Sequence, residues 1–233
     1  MSGESPVILV INPNSNAAVT AGLCEALEPL RLPGGPEILC ETLAEGPFGI
    51  ESQADIDAVT LPLRDLVCAR PEADAFVIAC YSDPGLQVCR EASDKPVFGI
   101  QECAVLTAAM RGDRFGVIAL GEVSIRRHLR YLSQIGMTER LAGERSADLS
   151  VAESAEGSGT FARLLSVGEA LRDRDGADTI ILGCAGMASH RSALEARLGL
   201  PVIDPTQAAV AMALGSVLIE GATRQAGARI SAV

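Results

Sequence analysis

A chain of 233 residues, 48% hydrophobic and 21% charged, is long and apolar enough to bury one large core or two modest lobes, and its composition is globular, not disordered. Its formal net charge of −11 repels phosphate backbones and argues against nucleic acid as a partner. The N-terminal MSGESPVILVINPN lacks the basic n-region of a signal peptide, and no stretch approaches the ~20 apolar residues of a membrane span, so a cytoplasmic protein without membrane partners is expected.

Aromatic residues make up only 3% of the chain and Trp is absent, so the core must be built from Ala, Val, Leu and Ile. That composition suits parallel strands covered by helices. In chain order, the apolar run 7–11 (VILVI), bounded by Pro6 and Asn12, predicts a buried strand. Asn14, Ser15 or Asn16 then caps a helix reaching about residue 30. Pro33-Gly34-Gly35-Pro36 is a loop, 37–43 a strand, 46–49 (GPFG) a second loop and 52–69 a helix. Residues 75–80 predict a strand that ends on Cys80 and opens at once into Tyr81-Ser82-Asp83-Pro84-Gly85, a turn. A short helix over 86–92, a strand over 96–100 and a helix over 102–111 follow.

The alternation then restarts. Residues 114–120 predict a strand, and 124–135 a helix stopped by Gly136. Residues 143–151 are ambiguous and read as a strand at best. A helix over 160–174, a strand over 179–184, a helix over 189–198, a strand over 201–203 and an Ala-rich helix from 206 to about 224 complete the chain. Strand and helix alternate throughout, which predicts an α/β fold with mainly parallel sheets flanked by helices.

Two stretches return as copies. ADAFVIAC (73–80) matches ADTIILGC (177–184), and KPVFGIQECAVLTA (95–108) matches LPVIDPTQAAVAMA (200–213). Cys80 and Cys184 lie 104 residues apart and Pro96 and Pro201 105 apart, so one unit of about 105 residues is repeated. Two pseudo-symmetric α/β lobes are expected, residues 1–98 with 205–233 and residues 99–204, with the active site in the cleft between them. Ligands of parallel α/β sheets sit at the carboxyl ends of the strands. Cys80 and Cys184 both fall there, one per lobe, facing each other across that cleft.

The seven cysteines include no CxxC pair and match no zinc spacing. No GxGxxG or GxxxxGK[ST] pattern is present, so neither a metal nor another cofactor is expected. Two thiols on opposite faces of a carbon suit one reaction: one thiolate removes a proton from a stereocentre and the other thiol delivers one to the opposite face. Backbone N–H groups in the turns after each cysteine would lower the thiol pKa and hold the enolate oxygen that forms between the two steps.

INPNS (11–15), GPFGIES (46–52), ACYSDPGL (79–86) and LGCAGM (182–187), in that order, resemble the hydantoin racemase branch of the aspartate/glutamate racemase superfamily. The resemblance covers nearly the whole chain. It implies cofactor-independent racemisation with Cys80 and Cys184 as the catalytic pair. It also implies that Asn14 orients the substrate and that the amides of Tyr81, Ser82, Ala185 and Gly186 bind its carbonyl oxygens. The superfamily's amino-acid racemases carry Thr-His after the second cysteine, where this chain has Ala185-Gly186, and His190 lies six residues on. That difference favours a cyclic ureide, whose ring C–H is more acidic than that of a free amino acid. The branch's Thr-Thr and Gly-Glu stand here as Ala119-Leu120 and Gln101-Glu102. The expected substrate is a small molecule, a 5-substituted hydantoin or allantoin, and the expected assembly is a homo-oligomer. Amino-acid racemisation, maleate-type cis–trans isomerisation and non-catalytic ligand binding are the alternatives.

Among the other residues, Cys24, Cys68 and Cys103 are expected to pack within helices and Cys40 within a strand, while Cys89 could face either way. Tyr81 packs or lines the pocket. Asp83 is expected to cap the helix that follows it, and Arg126-Arg127-His128 to form a solvated helix face.

Overall fold

The computed structural model describes residues 5–155 and 159–230. Residues 1–4, part of the N-terminal reading above, and 156–158 and 231–233, assigned above to the second and first lobes, lie outside the described residues. β1 (Val7–Asn12), β2 (Glu37–Thr42), β3 (Ala75–Ile78) and β4 (Val97–Gly99) form one sheet in the order β2-β1-β3-β4. β5 (Phe115–Ala119), β6 (Leu141–Ser146), β7 (Thr179–Leu182) and β8 (Val202–Ile203) form a second, in the order β6-β5-β7-β8. Every pairing is parallel. The two sheets therefore repeat one topology, as the internal copies predict.

Nine helices lie among the described residues: α1 (Ala17–Ala26), α2 (Gln53–Cys68), α3 (Leu86–Ala92), α4 (Ile100–Arg111), α5 (Glu122–Gln134), α6 (Val151–Ala155), α7 (Thr160–Asp173), α8 (Arg191–Leu198) and α9 (Pro205–Ile230). None is long and apolar enough to cross a membrane. The central strands are buried on both faces, so their residues divide between two cores. Ile8, Val10 and Val77 face a central cluster, while Leu9, Ile11, Phe76 and Ile78 face an outer one with α2. In the second sheet Val117 and Ile181 join the same central cluster, and Ile118, Ile180 and Leu182 face a third with α7 and α8. α9 packs on α4 and against the first sheet.

Local rules account for most element ends, including those that differ from expectation. Asn16 is the cap of α1, its side chain accepting from the Ala18 N–H at 3.0 Å. α1 stops at Ala26 and not near residue 30, and a 3-10 turn over Glu28–Leu30 follows with a proline at its start, which cannot donate an α-helical bond. Ser52 and Asp55 close a capping box at the start of α2. The ambiguous 143–151 region divides into the end of β6, a four-residue link and the start of α6. Asp83 does cap a helix, but not α3, which follows it. Its carboxylate accepts the Gln101 and Glu102 N–H groups of α4 at 2.9 Å each, and this starts α4 at Ile100, two residues earlier than expected. A Cβ at Gly99 would lie 2.3 Å from the Asp83 Cγ, so only glycine leaves room for the cap.

Candidate active site

In each sheet the chain leaves the first strand in one direction and the third in the other, and a crevice opens at their carboxyl ends. The last ladder bonds run from Ala79 N–H to Ile11 C=O and from Gly183 N–H to Ile118 C=O, both 2.8 Å. Cys80 and Cys184 are the next residues in the two sheets. β3 and β7 end at Ile78 and Leu182, two residues short of the expected strands, so each thiol stands on the first turn beyond the sheet.

The two cysteines line one cavity. Tyr81 and Ser82 join it from the first sheet's turn, Ala185 and Gly186 from the second's, and Asn14 from the loop after β1. The structure thus brings every sequence-predicted site residue to a single place. Asn14 is buried, and its carbonyl oxygen is committed to Asn12 Nδ2 and the Asn16 N–H at 3.0 Å each. That leaves its NH2 group to face a ligand. The Ser82 N–H bonds the Cys80 carbonyl at 2.8 Å and also favours the Cys80 thiolate, so the hydroxyl of Ser82 is the group it offers a ligand in the cavity.

The two thiols have different surroundings. Burial pushes the Cys80 thiol up, the Cys184 thiol and Asp83 push the same way, and the charge of Arg127 and the Ser82 N–H pull it back. Burial also raises Cys184, while the Ser154 hydroxyl and the Gly186 N–H, 3.6 and 3.4 Å from its sulfur, favour its thiolate. A Cβ at Gly186 would fall 2.4 Å from Ser154 Oγ and break that arrangement.

Several functional candidates escaped the sequence reading. Arg127 and His128 are buried, not solvated, and both line the cavity; only Arg126 of that stretch is exposed. His128 Nδ1 meets Glu144 Oε1 at 2.5 Å, and both side chains are almost wholly buried. His128 Nε2 lies 3.5 Å from Ser82 Oγ, and its ring stands edge-on to Tyr81, 4.9 Å between centroids. Tyr81 therefore both packs and lines the pocket. Glu51 ties the cavity together across the two sheets, its carboxylate accepting the Val151 N–H at 3.0 Å and its carbonyl accepting Arg127 Nη1 at 3.2 Å. Leu120, in place of the branch's threonine, also lines the cavity.

The remaining cysteines divide. Cys89 and Cys103 are buried, Cys24 and Cys40 half-buried, and Cys68 is exposed, contrary to the packing expected of it. His190 ends the 3-10 turn after Cys184 and lies against Phe161, its centroid 6.2 Å from the phenyl ring. Burial lowers its pKa. Among the described residues no three His, Cys, Asp or Glu side chains are grouped to hold a metal ion.

The family model described as Asp/Glu/Hydantoin racemase matches residues 8–213. A hydantoin racemase from Paenarthrobacter aurescens is 36% identical over 227 residues, covering 94% of this chain and 94% of that protein. Two solved structures share the fold closely. An allantoin racemase from Klebsiella pneumoniae superposes with a TM-score of 0.88 at 32% identity, covering 93% of this chain and 89% of its own. An allantoin racemase from Pseudomonas fluorescens gives 0.86 at 28%, covering 92% of each chain.

Proposed function

Because the chain belongs to the Asp/Glu/hydantoin racemase family, we propose that it racemises 5-substituted hydantoins or related cyclic ureides through a two-thiol proton transfer without a cofactor. The observation that carries this reading is that Cys80 and Cys184, at equivalent ends of two equivalent sheets, line one cavity. A ring carbon held between them presents one face to each sulfur. One thiolate takes the C5 proton, the neighbouring carbonyl becomes an enolate oxygen, and the opposite thiol returns a proton. The Asn14 NH2 group and the amides of Tyr81 and Ala185 are the donors for the ring oxygens, and Gly186 N–H serves the Cys184 sulfur. Donors fixed before reaction cost no reorganisation when charge develops.

Allantoin is itself a hydantoin with a 5-ureido substituent, and likeness to the two allantoin racemases supports it as a second substrate reading. The reading also keeps the two lobes at residues 1–98 with 205–233 and residues 99–204, a cytoplasmic location and a homo-oligomer. Leu106, Met110 and Leu218, exposed on the adjacent helices α4 and α9, support association between copies. Polarimetry on optically pure 5-alkyl hydantoins, allantoin and amino acids tests the whole reading. Loss of rotation with a hydantoin or allantoin is expected, and rotation lost only with an amino acid would overturn it.

A further inference from the structure

Resting on that reading, we propose that a second cavity, opening off the thiol site past Ser82, binds a carboxylate carried on the 5-substituent of the substrate. The cavity has a volume of about 240 Å³ and shares Ser82 and Arg127 with the thiol site. Arg127, Arg130 and Gln134 line it from α5 at a spacing of three and then four residues, which places them on one helical face. Gln53 of α2 and Gln101 of α4 line the other side. Among the described residues no carboxylate lines it, in a chain where 30 Asp and Glu outnumber 19 Lys and Arg. Glu102, which accepts the Tyr131 hydroxyl at the cavity wall, is ion-paired with Arg90 at 2.5 Å.

Among the described residues, two side chains that line it carry a buried donor without a hydrogen-bond partner: Gln101 Nε2 and Arg127 Nε. Gln101 is 1% and Arg127 9% exposed. Arg127 bonds only to the carbonyls of Glu51 and Val123, and no ion pair to it exists among the described residues. A buried guanidinium whose facing carboxylate, Asp55, lies beyond ion-pair distance and a buried amide without an acceptor are each costly. A carboxylate in the cavity supplies the counter-charge and the acceptor oxygens that these side chains lack nearby; an alkyl or aryl substituent supplies neither. The position of Ser82 on both cavities lets a ring sit between the sulfurs while its side chain reaches the guanidinium.

The test compares 5-(2-carboxyethyl)hydantoin with its neutral isostere, 5-(2-carbamoylethyl)hydantoin. Wild type should favour the acid by roughly 10- to 100-fold in kcat/KM, mainly through KM, the range expected for a hydrogen-bonded buried charge. Arg127→Met should bring that ratio close to one, Gln101→Leu should lower it, and Arg127→Lys should restore part of it. Calorimetric titration of the same two compounds reads the same preference without turnover. If neither compound is racemised, the racemase reading fails, while a tighter acid that loses its advantage in Arg127→Met still upholds the cavity's role. Equal handling of acid and amide by wild type overturns the inference. So does a fall in kcat for both compounds alike in Arg127→Met, which would assign the guanidinium to the charge of Cys80 alone.

Discussion

Ser154 Oγ lies 3.6 Å from the Cys184 sulfur while donating its hydrogen to the Val151 carbonyl at 2.7 Å. With its single hydrogen committed there, the hydroxyl can only accept from the neutral thiol. When the thiol ionises, the hydrogen can turn to the sulfur, and this stabilises the thiolate. Ser154→Ala should therefore raise the pH midpoint of Cys184 alkylation by about one unit, the worth of one hydrogen bond to a charge, and slow racemisation about tenfold. Iodoacetamide labelling resolved by peptide mass reads both cysteines separately, and Cys80 should not move. An unchanged Cys184 midpoint would remove Ser154 from the proton-handling groups.

In the proposed two-thiol reaction each enantiomer presents its proton to a different sulfur. Cys80→Ser and Cys184→Ser should both lose racemisation, since a serine hydroxyl is a far poorer base near neutral pH. Each variant should retain solvent deuterium exchange with one enantiomer only, and the two variants should prefer opposite ones. Proton NMR of each pure enantiomer in deuterium oxide measures this. Exchange of the same enantiomer by both variants would show that one thiol serves both faces.

Burial raises both thiols and so disfavours their thiolates. In the proposed reaction the base must be ionised and the acid protonated, so kcat/KM should climb by up to about tenfold per unit as pH rises above 7 and fall once both have lost their protons. Cys80 is raised in part by Cys184, which spreads the two ionisations apart and broadens the maximum. A flat profile from pH 7 to 9 would be inconsistent with thiol bases in this environment.

The two buried aspartates that start α4 and α9 should respond oppositely to amidation. Asp204 accepts the Gln207 N–H at 2.7 Å through Oδ1, while its buried Oδ2 has no partner, and burial lifts it from 3.8 to about 6. The folded state thus holds this proton more tightly. Its contribution to stability is fully present below about pH 4 and is lost as pH rises through about 6. Asp204→Asn should keep the cap, abolish that loss, and gain about 2–3 kcal/mol relative to wild type between pH 4 and 8. Asp83 is also raised, to about 7, but both of its oxygens accept N–H groups. Asp83→Asn turns an NH2 group towards a donor and should cost about 1–3 kcal/mol. Urea unfolding across this pH range measures both.

The sequence made the thiols legible because apolar runs such as AFVIAC and TIILGC end in turns, and because the repeat aligned them. It did not reveal Ser154, which sits on a helix of five residues, too short to show a period. Arg127 and His128 looked solvated because a helix read alone does not show its partners. Glu144, which completes the buried pair, arrives from β6, 16 residues later. Asp83 was assigned to the wrong helix for a related reason: the helix it caps begins 17 residues on and reaches it only through the sheet.

The unequal neighbours of the two sulfurs, a guanidinium near Cys80 and a hydroxyl beside Cys184, bear on how a racemase divides its rate between directions. Mirror-image molecules have equal free energy in water, so at equilibrium neither hand of the substrate is favoured. Whatever asymmetry the site imposes must cancel in kcat/KM. It can appear only as one enantiomer bound more tightly and converted more slowly, in matched proportion.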